Sequence, residues 1–175
     1  MVERNIDGKR LRMLRGDITD IEVEAFVFDI TEDAKLGSGY GGAIQQRGGI
    51  VIQKELDEIG SVPTGEAVAT QAGILKANHI IHVNGPKFRE EDEAGKLERA
   101  TMAVLSLAEE KGIKQLAFPP IGTGIYQVPM DLCARVMIDT IGRHLANGSG
   151  LEDVLIVVQD PREIGPFTAK FEEGV

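Results

Sequence analysis

Apolar positions along this chain fall into two kinds of pattern, and the two alternate. Leu11, Met13 and Leu14 form a short apolar segment that stops at Gly16-Asp17, and Ala25 to Ile30 (AFVFDI) is nearly continuous. Both predict strands, the second buried on both faces. Ala43, Ile44, Ile52, Leu56 and Ile59 then recur at helical spacing, interrupted by Gly48-Gly49, which predicts a helix broken or kinked at the glycine pair. Glu66 to Gln71 and His79 to Val83 are β-rich runs close enough to pair as neighbours. Leu97, Ala100, Val104, Leu107 and Ala108 step by three and four, predicting an amphipathic helix behind the acidic loop Glu90 to Glu93 and closed by Gly112.

Leu116 to Phe118 predicts a short strand entering Pro119-Pro120-Ile121-Gly122-Thr123-Gly124. The next helix carries Leu132, Val136, Ile141 and Leu145 on one stripe and stops at Asn147 to Gly150. Val154 to Val158 (VLIVV) is the most hydrophobic strand, followed by a weaker helical tail from Glu163 to Glu173. Strand is followed by helix at least three times, which predicts an α/β fold with its sheet covered on both faces. With 175 residues and 42% hydrophobic composition the expectation is one domain spanning 1–175, with no repeat or linker dividing it.

Charge narrows the partners. Nineteen Lys and Arg against 28 Asp and Glu give a net charge of -9, so a phosphate polymer or anionic membrane is repelled unless cations gather in a stripe, and none does. Direct nucleic-acid binding is therefore not expected. The single cysteine, Cys133, cannot form an internal disulfide, and no Cys and His spacing resembles a metal site, so no metal is expected. The absence of a signal-like or membrane-length apolar run, with that lone cysteine, points to a soluble, cytoplasmic protein.

Glycine changes the picture most. It makes up 21 of 175 residues, or 12%, against an average near 7%. Six of these (Gly37, Gly39, Gly41, Gly42, Gly48 and Gly49) fall within one short stretch. Gly37-Ser38-Gly39-Tyr40-Gly41-Gly42 lies between a buried strand and a helix, where main-chain N–H groups and the positive end of a helix dipole can converge on an anion. Such a cradle needs no lysine and is compatible with an acidic body. The hexapeptide also satisfies G-x-G-x-x-G, but Thr31 to Leu36 separates it from the strand and no acidic residue ends a second strand about 20 residues later. An NAD-dependent oxidoreductase is therefore only a distant alternative. Gly122-Thr123-Gly124 is a second glycine loop between strand and helix, and taken alone it is more often a turn.

Taken together, GDIT at Gly16, AFVFDI, GSGYGGAI, GEAVAT at Gly65, HIIHVNGP at His79 and FPPIGTGIYQVP at Phe118 resemble the macrodomain family over nearly the whole chain. That resemblance implies a three-layer α/β/α sandwich with a mixed, mostly parallel central sheet, and ADP-ribose as ligand, with no cofactor. It implies that Asp17 and the Ile18 amide read the adenine edge, that Gly37, Ser38, Gly39, Tyr40, Gly41 and Gly42 wrap the diphosphate and distal ribose, and that Ile121, Gly122, Thr123, Gly124, Ile125 and Tyr126 close over the phosphates from the other side. A carboxylate at Asp17 suits an exocyclic amine; without the family context it reads equally well as an N-cap over Ile18 to Ile21.

Departures from the family pattern bear on catalysis. Where many macrodomains carry Asn-Ala-Ala-Asn, this chain reads Phe28-Asp29-Ile30-Thr31, placing Thr31 at the position of the ribose-binding asparagine. Gly41 stands where the hydrolytic branch places an aspartate. Gln159-Asp160 follows the last strand where some relatives place an adenine-stacking aromatic, which leaves aliphatic residues or Phe167 for that role. His82, on an apolar strand, reads as a core histidine. The expected function is binding of ADP-ribose or ADP-ribosylated protein. The first alternative is hydrolysis of ADP-ribosylated protein, O-acetyl-ADP-ribose or ADP-ribose 1''-phosphate, with Thr31, Asp29 or Asp33 positioning water.

Overall fold

Parallel strands need their faces covered, and the runs read as buried on both sides become the centre of the sheet. The computed structural model describes residues 2–123 and 127–173. Its strands are β1 (Val2–Ile6), β2 (Lys9–Arg15), β3 (Ala25–Asp29), β4 (Ala67–Gln71), β5 (His79–Val83), β6 (Gln115–Phe118) and β7 (Asp153–Val158). Its helices are α1 (Tyr40–Gly48), α2 (Val51–Ile59), α3 (Glu93–Glu110), α4 (Met130–Ala146) and α5 (Pro161–Glu172). The strands form one sheet in the order β1-β2-β7-β6-β3-β5-β4. β2, β7, β6, β3 and β5 run parallel, and β1 and β4 close the edges antiparallel.

Alternation along the strands sorts side chains into two cores. Ala25, Val27, Val154, Ile156 and Val158 face α3, α4 and α5 with Phe118, Leu105 and Phe167. Phe26, Leu155 and Val157 face the other way onto Ile44 of α1 and Ile52 and Leu56 of α2. The result is the α/β/α sandwich with a mixed, mostly parallel sheet. The glycine pair does break the first predicted helix: Gly49 adopts φ +98° between α1 and α2. Among the described residues no helix is long and apolar enough to cross a membrane.

The apolar pattern along the chain does not reveal β1. It is an edge strand with one half-buried face, joined to β2 through the two-residue turn Asp7-Gly8, both residues at positive φ. His82 lies fully buried on β5, with Nε2 2.9 Å from Thr70 Oγ1 and its ring edge-on to Phe28. Burial pushes its pKa down to about 3. Because the unfolded chain takes up that proton near the ordinary value of about 6.5, stability is expected to fall as pH drops from about 6.5 towards 3. Urea unfolding across this range should show a shallower slope for His82→Gln than for the parent.

Candidate functional site

Five parallel strands end on one edge of the sheet, so the chemistry collects there. β2 leads to Gly16-Asp17, β7 to Gln159-Asp160, β6 to Pro119-Gly122, β3 to Ile30 and the glycine hexapeptide, and β5 to Asn84-Gly85. From β3 the chain passes to α1 on one face and rejoins the sheet at β4 and β5; from β6 it passes to α4 on the opposite face and returns at β7. The β3/β6 boundary is therefore the topological switch point, where α/β sheets open a crevice. The ladder reflects this opening, since β3 and β6 pair only through Ala25 with Leu116 and Phe26 with Ala117. The two glycine loops flank it.

The first loop starts from an anchored segment. Ala34 and Leu36 are buried, Gln53 of α2 accepts the Leu36 N–H at 2.9 Å and donates to the Ala34 carbonyl at 3.0 Å, and Val62 N–H reaches Glu32 O at 2.9 Å. Gly37 and Gly39 then adopt φ +69° and +62°. Gly39 is the N-cap of α1, and the first bonds of the helix run from Gly42 N–H to Ser38 O (3.4 Å) and Ala43 N–H to Gly39 O (3.0 Å). Among the described residues the N–H groups of Gly37, Ser38, Gly39, Tyr40 and Gly41 make no hydrogen bond. Five consecutive donors at the positive end of a helix form an anion cradle built from backbone alone. At Gly41 a Cβ would lie 1.6 Å from the Leu36 carbonyl oxygen, so this loop shape admits no side chain there.

Asp17 ends β2 and caps a short 3-10 turn, Ile18–Asp20. Its Oδ1 accepts from Thr19 N–H (3.0 Å) and Thr19 Oγ1 (2.7 Å), and its Oδ2 from Arg47 Nη1 (3.2 Å), which also donates to Thr19 Oγ1 (2.7 Å). Burial opposes the Asp17 charge, but the Thr19 and Arg47 bonds outweigh it and hold the carboxyl below its usual range. The N-cap and the residue expected to read adenine are thus the same, and its Oδ2 accepts a single bond among the described residues. Arg47, half-exposed on the last turn of α1, was not singled out from sequence, because nothing local marks a partner 30 residues away. Tyr40 opens α1 and is 41% exposed. Burial first, then the charges of Asp17 and Glu163, raise its hydroxyl pKa.

The opposite wall differs more from expectation. Ile121 is fully buried; its N–H points at Met137 Sδ (3.5 Å) and its carbonyl accepts from Cys133 Sγ (3.3 Å), so it forms the floor rather than the lining. The Gly122 N–H is not free for a phosphate, since Asp29 Oδ2 takes it at 2.7 Å. Thr123 Oγ1 donates to Pro120 O at 3.1 Å and lies 3.5 Å from Glu163 Oε2. With Gln127, Val128, Pro129, Met130 and Arg162 it lines a cavity of about 340 Å³ between this loop and α5, a volume in the range of small-molecule pockets. Gly124, Ile125 and Tyr126 lie outside the described residues.

Thr31 is exposed and its hydroxyl donates to Asp33, pairing two of the candidate water-positioning groups with each other. Asp29 sits at the floor, with burial pushing its carboxyl up to about 6 against the pull of the Gly122 and Gly85 N–H groups. Phe167 cannot stack on adenine: it is fully buried on the core face of α5, and Asp160, where an aromatic was absent, caps that helix through Arg162 N–H at 2.9 Å.

A model of the Macro domain matches residues 30–137. The chain belongs to the macrodomain family. This macrodomain is 37% identical over 158 residues to O-acetyl-ADP-ribose deacetylase 1 of Pantoea vagans, covering 87% of this chain and 92% of that protein. It is 35% identical to a Macro domain-containing protein of Caldanaerobacter subterraneus, over 94% of this chain and 97% of that one. Among solved structures, the Oceanobacillus iheyensis macrodomain with ADP superposes with a TM-score of 0.89 at 26% identity, covering 98% of this macrodomain and 94% of that chain. A mutant of the same protein with ADPR gives 0.91 at 25% identity, covering 98% and 96%.

Proposed function

We propose that this macrodomain binds ADP-ribose, free or as a terminal group on a modified protein, in the crevice between the Gly37–Gly42 loop and the Gly122 loop. The observation that carries this is the run of five unpaired N–H groups at the start of α1, which offers a diphosphate fixed donors and a favourable helix dipole inside a molecule of net charge -9. ADP and ADPR in the Oceanobacillus iheyensis structures, on the same fold, support it. Adenine falls at Asp17, whose carboxylate accepts from an exocyclic amine while the Ile18 N–H and the Arg47 guanidinium donate to ring nitrogens.

Titration calorimetry with ADP-ribose, ADP, AMP and NAD tests this. ADP-ribose should bind best and AMP worst, because AMP lacks the diphosphate that spans the cradle. Asp17→Ala should weaken ADP-ribose by about 1 to 3 kcal/mol through loss of a charged hydrogen bond. The same variant should lower stability by about 0.5 to 2 kcal/mol through the lost cap, a second effect that thermal unfolding separates from the first.

A second use of the same crevice, hydrolysis of an ADP-ribose derivative, is favoured by the name of the Pantoea vagans relative. Against it stand the bare Cα at Gly41 and the engagement of Thr31 with Asp33. Incubation with O-acetyl-ADP-ribose decides between them: a binder releases no acetate above the uncatalysed rate.

A further inference from the structure

Where β3 and β6 part, a side chain takes over from the ladder. Their pairing stops at Phe26 and Ala117, whereas β3 stays in register with β5 as far as Asp29 and Val83. Asp29 places its carboxylate in the opening. Oδ2 accepts the Gly122 N–H at 2.7 Å, and Oδ1 lies 3.4 Å from the Gly85 N–H, so one carboxylate touches the ends of three neighbouring strands. Gly122 has little freedom of its own: its φ is +79°, a Cβ on it would come within 2.7 Å of Val128 Cγ2, and its carbonyl accepts the Val128 N–H at 2.8 Å. It is the base of the second glycine loop, and Asp29 holds it.

We propose that Asp29 is the positioning residue of this loop: its ionised carboxylate fixes Gly122, and thereby Thr123, against the Gly37–Gly42 cradle, so that ligand affinity follows the charge on Asp29. The inference rests on the ADP-ribose reading of the crevice. An ionised acceptor makes a stronger bond to a backbone N–H than a neutral one, and the loop loosens when the charge is lost. Groups facing Asp29 leave its charge uncompensated. From α4 comes the Cys133 thiol, kept protonated by burial and by the nearby charges of Glu163 and Asp29. From α5 comes Glu163, a second acid near that thiol; among the described residues the β5 and β6 ends contribute the Gly85 and Gly122 N–H groups.

The sign of the linkage supports a functional role. With its pKa raised to about 6, Asp29 binds a proton more readily in the folded chain than in the unfolded one, where about 3.9 is expected. Stability is therefore lost as pH rises from about 3.9 through about 6, and the loss is complete above that. A carboxylate that costs the fold stability at neutral pH, at the floor of a crevice, has the signature of a site residue.

The test compares the intact protein with Asp29→Asn, which keeps an oxygen acceptor but no charge. In the parent, ADP-ribose affinity should fall about tenfold between pH 7.5 and pH 5 with a midpoint near 6, the loss expected when one charged hydrogen bond becomes neutral. Asp17, held low, does not titrate in that window. The variant should bind more weakly than the parent at pH 7.5 and show no pH dependence, while melting higher than the parent at pH 8, by less at pH 5, and level with it only below about pH 4. A parent affinity that is flat or rises on acidification, or a variant that keeps the parent's profile, overturns the proposal and leaves ADP-ribose binding standing. A readout without ligand separates the two. The Gly122 amide resonance should titrate with a midpoint near 6 in the parent and stay still in Asp29→Asn; an amide that does not move overturns the proposal even if no nucleotide binds.

Discussion

Gly39→Glu is expected to abolish ADP-ribose binding in a protein that remains folded. Gly39 caps α1 with φ +62° and ψ -130°, and a Cβ built there meets no atom within 4 Å. The substitution is therefore strained but not obstructed, costing about 1 to 3 kcal/mol, or a melting temperature lower by several degrees. Binding suffers far more. The new carboxylate hangs beside the free N–H groups of Gly37 to Gly41, where it competes for the donors and repels the diphosphate. One like charge about 4 Å away costs about 4 kcal/mol at the effective dielectric of a protein surface, or about three decades in Kd. Calorimetry with ADP-ribose, alongside circular dichroism of the same sample, checks both halves.

Gly41→Asp should behave differently, losing stability and binding together and gaining no hydrolysis. Its Cβ would sit 1.6 Å from the Leu36 carbonyl oxygen and 2.5 Å from the carbonyl carbon, both backbone atoms. Leu36 cannot yield easily: its side chain is 3% exposed and its N–H is held by Gln53 at 2.9 Å. The start of α1 must move instead, at a cost of about 1 to 3 kcal/mol typical of overpacking, and the cradle moves with it. Restoring the acid seen in the hydrolytic branch thus removes the loop geometry that such an acid would serve. Urea unfolding, ADP-ribose titration and acetate release from O-acetyl-ADP-ribose together report the three expected losses or non-gains.

How far the sequence could be read follows from how local each determinant is. β3 and β7 were visible because strands covered on both faces must be apolar throughout, and α3 and α4 because one buried stripe imposes steps of three and four. β1 was not, because an edge strand with one half-buried face needs only Val2 and Ile6; Asp7-Gly8, a two-residue hairpin turn at positive φ, was the available signal. The tail helix begins two residues earlier than expected, at Pro161, because Asp160 and Glu163 form a reciprocal cap.

At the crevice, the glycine cradle announced itself through a local excess of one residue type. Its supports did not. Gln53, which pins Ala34 and Leu36, and Arg47, which pairs with Asp17, act from helices that only the fold brings near. Asp29 and Gly122 are 93 residues apart, so the loss of the Gly122 N–H as a phosphate donor was invisible from either motif. Gly41 shows the same limit from the other side. Its sequence says that an acid is missing, but only the Leu36 carbonyl at the same point in space says that none can be accommodated.

Amide resonances of isotopically labelled protein, followed as ADP-ribose is added, put the backbone-cradle mechanism to its most direct test. The largest shifts should fall on Gly37, Ser38, Gly39, Tyr40 and Gly41, with the Gly122 amide, already bonded to Asp29, moving less. Shifts that leave these five amides in place and gather elsewhere on the surface would contradict it.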